Sequence, residues 1–217
     1  MNSVITEKLA AFFGEFKEQK YRKGEILVRA DENPRGIFYL TEGIVKEYAI
    51  SKKGDEVVVN IFKPISFFPM SWAINNTENR YYFEAVNDVC LRLAPKEKVV
   101  AFVKAEPDVL FDLLSRLYRG VDGMLTRMTY LMGGNAKSRL ITELIIAAKR
   151  FGKKDPTGKQ IELWISEKDF AAQSGMTRET VSRGIKVLKD KGFITFNKHS
   201  LPIKDLQKLE EQLSENF

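Results

Sequence analysis

The chain has 217 residues, enough for two modest domains that each bury a core. The single cysteine, Cys90, has no partner for a disulfide, a zinc site or an iron–sulfur cluster, there is one histidine, His199, and no run approaches the ~18 apolar residues of a membrane span. Net charge is +6 but uneven: residues 1–134 carry 19 Lys/Arg against 18 Asp/Glu, residues 135–198 carry 14 against 7, so a polyanion is expected to meet the second half.

The first residues, Met1 to Lys8, lack a basic segment followed by an apolar one, which sets the expectation of a cytoplasmic protein. From residue 25 to 95, short β-type runs alternate with turn residues. The predicted strands are 25–29, 36–41, 44–50, 56–62, 81–86 and 89–93, separated by turns such as Asp31-Glu32-Asn33-Pro34-Arg35, Glu42-Gly43 and Lys52-Lys53-Gly54-Asp55. This spacing is that of an antiparallel roll or barrel. Cys90 reads as a small buried hydrophobe.

Helical signal begins after Pro95 and strengthens at Pro107-Asp108, where a proline suits the first turn and an acid suits the positive end of the helix dipole. Along residues 107–132, Leu110, Leu114, Leu117, Val121, Met124, Met128 and Leu131 alternate at spacings of four and three, with Arg116, Arg119, Asp122 and Arg127 off the line. That is a coiled-coil seam, and a second copy of the helix is its natural cover; packing on the chain's own β-roll is the other. Met132-Gly133-Gly134-Asn135 then reads as a hinge, with Asn135 capping a helix over 136–151 that ends at Gly152 before a loop. The expected organisation is a β-roll over 1–106, a dimerisation helix and hinge over 107–134, and a second domain over 135–217.

The most informative stretch runs from Ser166 to Lys189. Ser166 with Asp169 starts a short helix whose Phe170 and Ala171 face inward, and Ser174-Gly175-Met176 makes a tight turn. Thr177 caps a second helix with Val181, Ile185 and Leu188 on the buried side and Arg178, Glu179, Ser182, Arg183 and Lys186 outward. Two short helices, a glycine turn and a polar outer face make a helix-turn-helix. The outward residues suit a major groove: Arg presents a fork to guanine, Glu accepts from cytosine N4, and Ser or Thr reaches a base or phosphate. Lys186, Lys189 and Lys191 suit phosphates. Gly192 to Phe196, a turn at Asn197-Lys198-His199-Ser200, and Leu201-Pro202-Ile203 read as a β-hairpin, the wing, which places Lys198 among the phosphate-binding residues together with Thr177 and Thr180.

These residues resemble the Crp/Fnr family of bacterial transcription factors, from about Tyr21 to Leu206. The likeness is strongest at Thr177-Arg178-Glu179-Thr180-Val181-Ser182-Arg183 and Gly192-Phe193-Ile194. Lys23-Gly24-Glu25-Ile26-Leu27, Ile37-Phe38-Tyr39-Leu40 and Gly43-Ile44-Val45-Lys46 look like a cyclic-nucleotide-binding-type roll. The resemblance implies an α+β fold: an N-terminal antiparallel β-roll of jelly-roll type, a long dimerisation helix and a C-terminal winged helix-turn-helix. It implies a homodimer on an inverted repeat of double-stranded DNA, with Arg178, Glu179, Ser182 and Arg183 as base readers, and RNA polymerase as a partner if the protein activates.

The expected effector site departs from the family. Where cyclic-nucleotide-binding members carry a Gly-Glu pair and an Arg-Ser/Thr-Ala segment, this chain reads Phe67-Phe68-Pro69-Met70-Ser71-Trp72 and Asn79-Arg80-Tyr81-Tyr82; Pro69 has no N–H for a phosphate and the ribose-binding carboxylate is gone. Cyclic AMP is therefore not the expected effector, and Phe68, Ser71, Trp72, Arg80 and Tyr82 are the candidate walls of a pocket for another small molecule, or part of a plain core. The cysteine cluster of oxygen-sensing members is absent and a single histidine in the wing does not suit haem, so no cofactor and no metal are expected. No catalytic motif is present, and a cupin-type metal barrel would need several histidines. The competing non-enzymatic reading is a regulatory module whose C-terminal domain binds protein instead of DNA.

Overall fold

A computed structural model describes residues 3–52, 54–154, 161–163, 167–195 and 201–214. The chain divides into two compact units between Leu117 and Tyr118.

The first unit runs α1 (Ser3–Gly14), β1 (Glu18–Tyr21), β2 (Ile26–Val28), β3 (Ile37–Glu42), β4 (Val45–Ile50), β5 (Glu56–Phe62), β6 (Phe67–Phe68), α2 (Met70–Asn75), β7 (Tyr82–Ala85), β8 (Val89–Ala94), α3 (Lys96–Ala105) and the start of α4 (Pro107–Gly133). All strand pairs are antiparallel, in two four-stranded sheets ordered β1-β8-β3-β6 and β2-β7-β4-β5. The six strands read from the sequence are present within a residue or two. α1, α2, β1 and β6 are additions.

β3 explains why the roll has two cores. Its run Ile37-Phe38-Tyr39-Leu40 is buried throughout, and alternate side chains leave on opposite faces. Phe38 and Leu40 enter the core with Val45, Phe68, Phe83 and Leu91. Ile37 and Tyr39 enter a second core closed by Leu9 and Phe13 of α1, Val99 and Val103 of α3, and Val109. β6 repeats the division, Phe67 joining the second core and Phe68 the first. Burying one such side chain contributes ~1.5–3 kcal/mol, which is why a two-residue strand and a helix with no clean polar face can be held in place. Arg92 of β8 secures the end of α1 by donating to the carbonyls of Phe16 (2.7 Å) and Gly14 (3.3 Å). Lys8 on the same helix bridges Glu106 (2.7 Å) and Asp108 (2.8 Å).

The second unit holds the rest of α4, then α5 (Ala136–Phe151), β9 (Lys153–Lys154), β10 (Ile161–Leu163), α6 (Glu167–Ser174), α7 (Arg178–Asp190), β11 (Leu201–Ile203) and α8 (Leu206–Ser214). The Asn135 side chain caps α5 by accepting from the Ser138 N–H at 3.0 Å, as expected. One face of α5 (Leu140, Ile141, Leu144, Ile145, Ala148) is the centre of a core completed by Phe170, Val181, Ile185, Leu188, Leu201, Ile203, Leu209 and Leu213. Arg127 of α4 joins this body through a two-pronged ion pair with Glu143 of α5, Nε to Oε1 at 2.7 Å and Nη2 to Oε2 at 2.8 Å.

Lys153 and Lys154, expected at the start of a loop over 153–158, form β9, and with β10 and β11 they make a three-stranded antiparallel sheet ordered β11-β10-β9. β9 pairs with β10, and β10 is held by β11 some forty residues further along the chain, a partner that no local pattern announces. The wing hairpin is present in reduced form: Ile194 bridges Ile203, Thr195 N–H donates to the Pro202 carbonyl (2.9 Å) and Lys204 N–H to that of Phe193 (3.0 Å). Ser166, Phe196 and the wing turn with Lys198 lie outside the described residues.

Gly43, in the turn between β3 and β4, sits at φ +86° with the Asp88 carbonyl and the Val89 side chain where a Cβ would stand. Gly54 has a similar φ, +85°, and open space. Gly43→Ala is therefore expected to lower stability by about 3 kcal/mol and Gly54→Ala by about 1 kcal/mol, as read by urea denaturation; equal losses would mean that the contact with Asp88 carries no cost.

Candidate nucleic-acid interface and β-roll cavity

α6 and α7 form the expected helix-turn-helix. Phe170 and Ala171 of α6 are buried, and the turn passes through Gly175 at φ +63°, a conformation glycine adopts without strain. Thr177 caps α7, its Oγ1 accepting from the Thr180 N–H at 3.2 Å. The two hydroxyls lie 3.0 Å apart. Val181, Ile185 and Leu188 are buried at the spacing of one helical face.

On the other face, Arg178, Glu179, Ser182, Arg183, Lys186 and Lys189 are all exposed, while Thr180 is half-buried. Glu179 lies in the first turn, where its own backbone N–H and the Thr177 hydroxyl hydrogen-bond its carboxylate and Arg178 and Arg183 stand nearby, holding it below the ordinary carboxylate range. It is ionised at neutral pH and acts purely as an acceptor. Arg183 Nε is 3.4 Å from the Glu179 carbonyl, a long contact that leaves the guanidinium fork outward. Val187, which the sequence reading passed over, is also exposed here; its place one turn after Arg183 was the available signal.

Of the seam residues on α4, Leu110, Leu114, Leu117, Val121, Met124 and Met128 are exposed, Leu117 by 60%. The side chain of Leu131 lies outside the described residues. A second line that the sequence reading missed, Phe111, Tyr118, Leu125 and Met132, repeats every seven residues beside the seam and is exposed too. Its period was visible but was masked by the stronger one next to it.

In the β-roll, a cavity of about 520 Å³ is lined by Ser71, Trp72 and Arg80, three of the five expected residues, with Glu47, Asn79 and Phe83 among the others. Phe68 and Tyr82 are not in its wall. Phe68 is sealed in the first core, stacked on Phe62 (4.3 Å) and Phe83 (5.4 Å). Tyr82 points to the opposite face of its sheet, where it stacks on Tyr48 at 5.3 Å. Buried Asn79 shapes the rim by donating to the carbonyls of Arg29 (2.8 Å) and Tyr81 (2.9 Å). Arg80 is exposed. Pro69 precedes α2 and brings no N–H to the wall. Glu47, also unforeseen, is the notable wall residue: burial pushes its carboxyl up to about 7, against a smaller opposing pull from the Asn60 amide. Glu47 shares a face of β4 with Val45 of the first core, so strand alternation was the available signal, overlooked because a carboxylate stands where an apolar side chain is the rule.

No helix among the described residues is long and apolar enough to cross a membrane. Two family models match: a cyclic nucleotide-binding domain over residues 18–106 and a Crp-like helix-turn-helix domain over 138–212, together more than half of the chain. A global nitrogen regulator of Synechocystis sp. is 26% identical over 180 residues, 82% of this chain and 80% of that protein. The transcriptional regulator SdrP of Thermus thermophilus is 26% identical over 193 residues, covering 88% and 91%. Among solved structures, a CooA variant from Carboxydothermus hydrogenoformans superposes with TM-score 0.75 at 26% identity over 94% of this chain and 90% of that one. A CRP/FNR-family regulator of Thermus thermophilus does so with TM-score 0.73 at 23% identity, over 93% and 100%. With a cyclic-nucleotide-binding-type roll, a helix-turn-helix of Crp type and relatives that are transcription regulators along most of its length, the chain belongs to the Crp/Fnr family of transcription regulators.

Proposed function

We propose that the protein acts as a homodimer that reads an inverted-repeat operator in double-stranded DNA. The observation that carries this reading is the outer face of α7, where Arg178, Glu179, Ser182 and Arg183 stand exposed above a buried Val181-Ile185-Leu188 stripe. Arg178 and Arg183 suit guanine edges, ionised Glu179 accepts from a cytosine N4, and Ser182 reaches a thymine or a phosphate. Lys186 and Lys189, with Thr177, Thr180 and Lys198, supply phosphate contacts, which give affinity without sequence information.

The exposed seam of α4, broadened by Phe111, Tyr118, Leu125 and Met132, is the surface for the second copy. Residues 1–106 act as the sensor, 107–134 as the dimerisation helix and hinge, and 135–217 as the DNA-binding domain. The protein works in the cytoplasm without enzymatic activity, takes a small-molecule effector other than cyclic AMP in the β-roll, and contacts RNA polymerase where its operator makes it an activator.

Binding-site selection from a random duplex library is expected to return half-sites with a TGA-like core about one helical turn (~34 Å) apart. Arg183→Ala then costs roughly 1–3 kcal/mol on the preferred site and relaxes one base pair, whereas Lys186→Ala or Lys189→Ala weakens all sequences alike and lowers the salt slope by about one. An unchanged consensus in both Glu179→Ala and Arg183→Ala would remove α7 as the reader. Sedimentation is expected to show a dimer at micromolar concentration, and Leu117→Lys with Val121→Lys a monomer that no longer holds the operator; a monomeric wild type with full DNA affinity is the opposing result. Calorimetry with cyclic AMP at physiological concentration is expected to give no saturable heat, and micromolar binding lost in Arg80→Ala would contradict that.

A further inference from the structure

The β-roll cavity contains a carboxyl group without a charge partner. Glu47 lies on β4 beside Phe83 of β7 and opposite Asn60 of β5. The other charged groups of these strands alternate to the far face of the sheet, where Lys46 pairs with Glu56 (2.7 Å) and Glu84 (3.3 Å) beside the stacked Tyr48 and Tyr82. On the cavity side, Glu78 and Arg80 of the segment between α2 and β7 are exposed at the rim. Among the described residues no cation pairs with Glu47. The rest of the wall combines three aromatic rings, Trp72, Tyr81 and Phe83, with Pro69 and the uncharged polar residues Ser71, Thr77 and Asn79.

Resting on the reading of the roll as the sensor, we propose that this cavity binds a small aromatic ammonium compound, its cation on Glu47 and its ring against Trp72, Tyr81 and Phe83. The volume suits a bicyclic ring with a short side chain. A carboxylate removed from water and left without a counter-charge is costly, and a ligand cation removes that cost while gaining attraction from the aromatic faces. An aryl carboxylate of the same size would instead set like charge against Glu47 and Glu78, with only the water-exposed Arg80 in its favour.

The pH dependence has a definite sign. With its carboxyl pushed up to about 7, Glu47 is largely protonated at pH 6 and largely ionised at pH 8, and the cation prefers the ionised form. An alkylammonium keeps its charge throughout this range, as lysine does. Affinity therefore rises with pH, and binding near neutrality releases a proton.

The test is calorimetry on the full chain with tryptamine and with indole-3-acetate, each at pH 6 and pH 8, repeated on Glu47→Gln. Tryptamine is expected to saturate one site per chain about tenfold more tightly at pH 8 than at pH 6. Glu47→Gln is expected to lose that pH dependence and to bind about tenfold more weakly at pH 8, and indole-3-acetate to bind less tightly than tryptamine in the wild type. Absence of tryptamine saturation, tighter binding at the lower pH, an unchanged affinity in Glu47→Gln or a preference for indole-3-acetate overturns the proposal. The wild-type pH comparison decides even if the variant does not fold. The titration reads small-molecule binding alone, so its failure is distinct from a failure of the operator experiments.

Discussion

The ion pair between Arg127 and Glu143 is the contact on which the arrangement of the second unit turns. It ties the far end of α4 to α5, and α5 is the helix against which α6, α7, the three-stranded sheet and α8 all bury their apolar sides. The Glu143 side chain is only 8% exposed, and the guanidinium fork meets its carboxylate at both oxygens. Removing one partner of such a pair typically costs ~3–5 kcal/mol, chiefly by leaving the other charge buried and alone. A packed apolar contact in the same place would hold the helices together as well. It would not fix their rotation as a planar, two-point contact does, because hydrophobic burial has no preferred direction.

What the second unit then presents is more than a positive surface. The ionised Glu179 lies between Arg178 and Arg183, a carboxylate kept charged by its own backbone N–H and the Thr177 cap. A face built only for attraction to phosphate would gain nothing from that acid. Acceptor and donors alternating along one helical stripe match the edge of a base pair, where both kinds of group occur, better than they match a uniformly anionic backbone. The lysines that follow, Lys186 and Lys189, have the compact point charges suited to the backbone itself. On the proposed reading, affinity and discrimination fall to different residues of one short helix.

How far these features could be read from the sequence follows from how local their causes are. α7 was legible because its cap, its glycine turn and its Val181-Ile185-Leu188 stripe lie within a few residues of one another, and the Asn135 cap of α5 for the same reason. α1 was not, since Leu9 and Phe13 are buried by Tyr39, Phe67, Val99 and Val103, residues far along the chain. β6 and β10 depend on ladder partners in β3 and β11. Within the cavity, Trp72 and Arg80 could be nominated from a departure in a local pattern, whereas Glu47 is a charged residue on the inward face of β4 beside Val45, a place where alternation leads one to expect an apolar side chain.

The aromatic wall of the cavity has a further consequence. Phe83 is backed by Phe68 at an interplanar angle of 3°, and Phe68 in turn by Phe62 and Phe38. Flat rings packed several deep yield less than flexible aliphatic side chains, because a shift in the outermost is transmitted to the next at full contact. A guest one methylene too large therefore meets a surface that does not give, at a penalty of ~1–3 kcal/mol for overpacking, while one that is too small leaves a gap the rings cannot close. On the proposed reading of the cavity as a ligand site, discrimination by size is inherited from the core of the roll rather than from any residue dedicated to it.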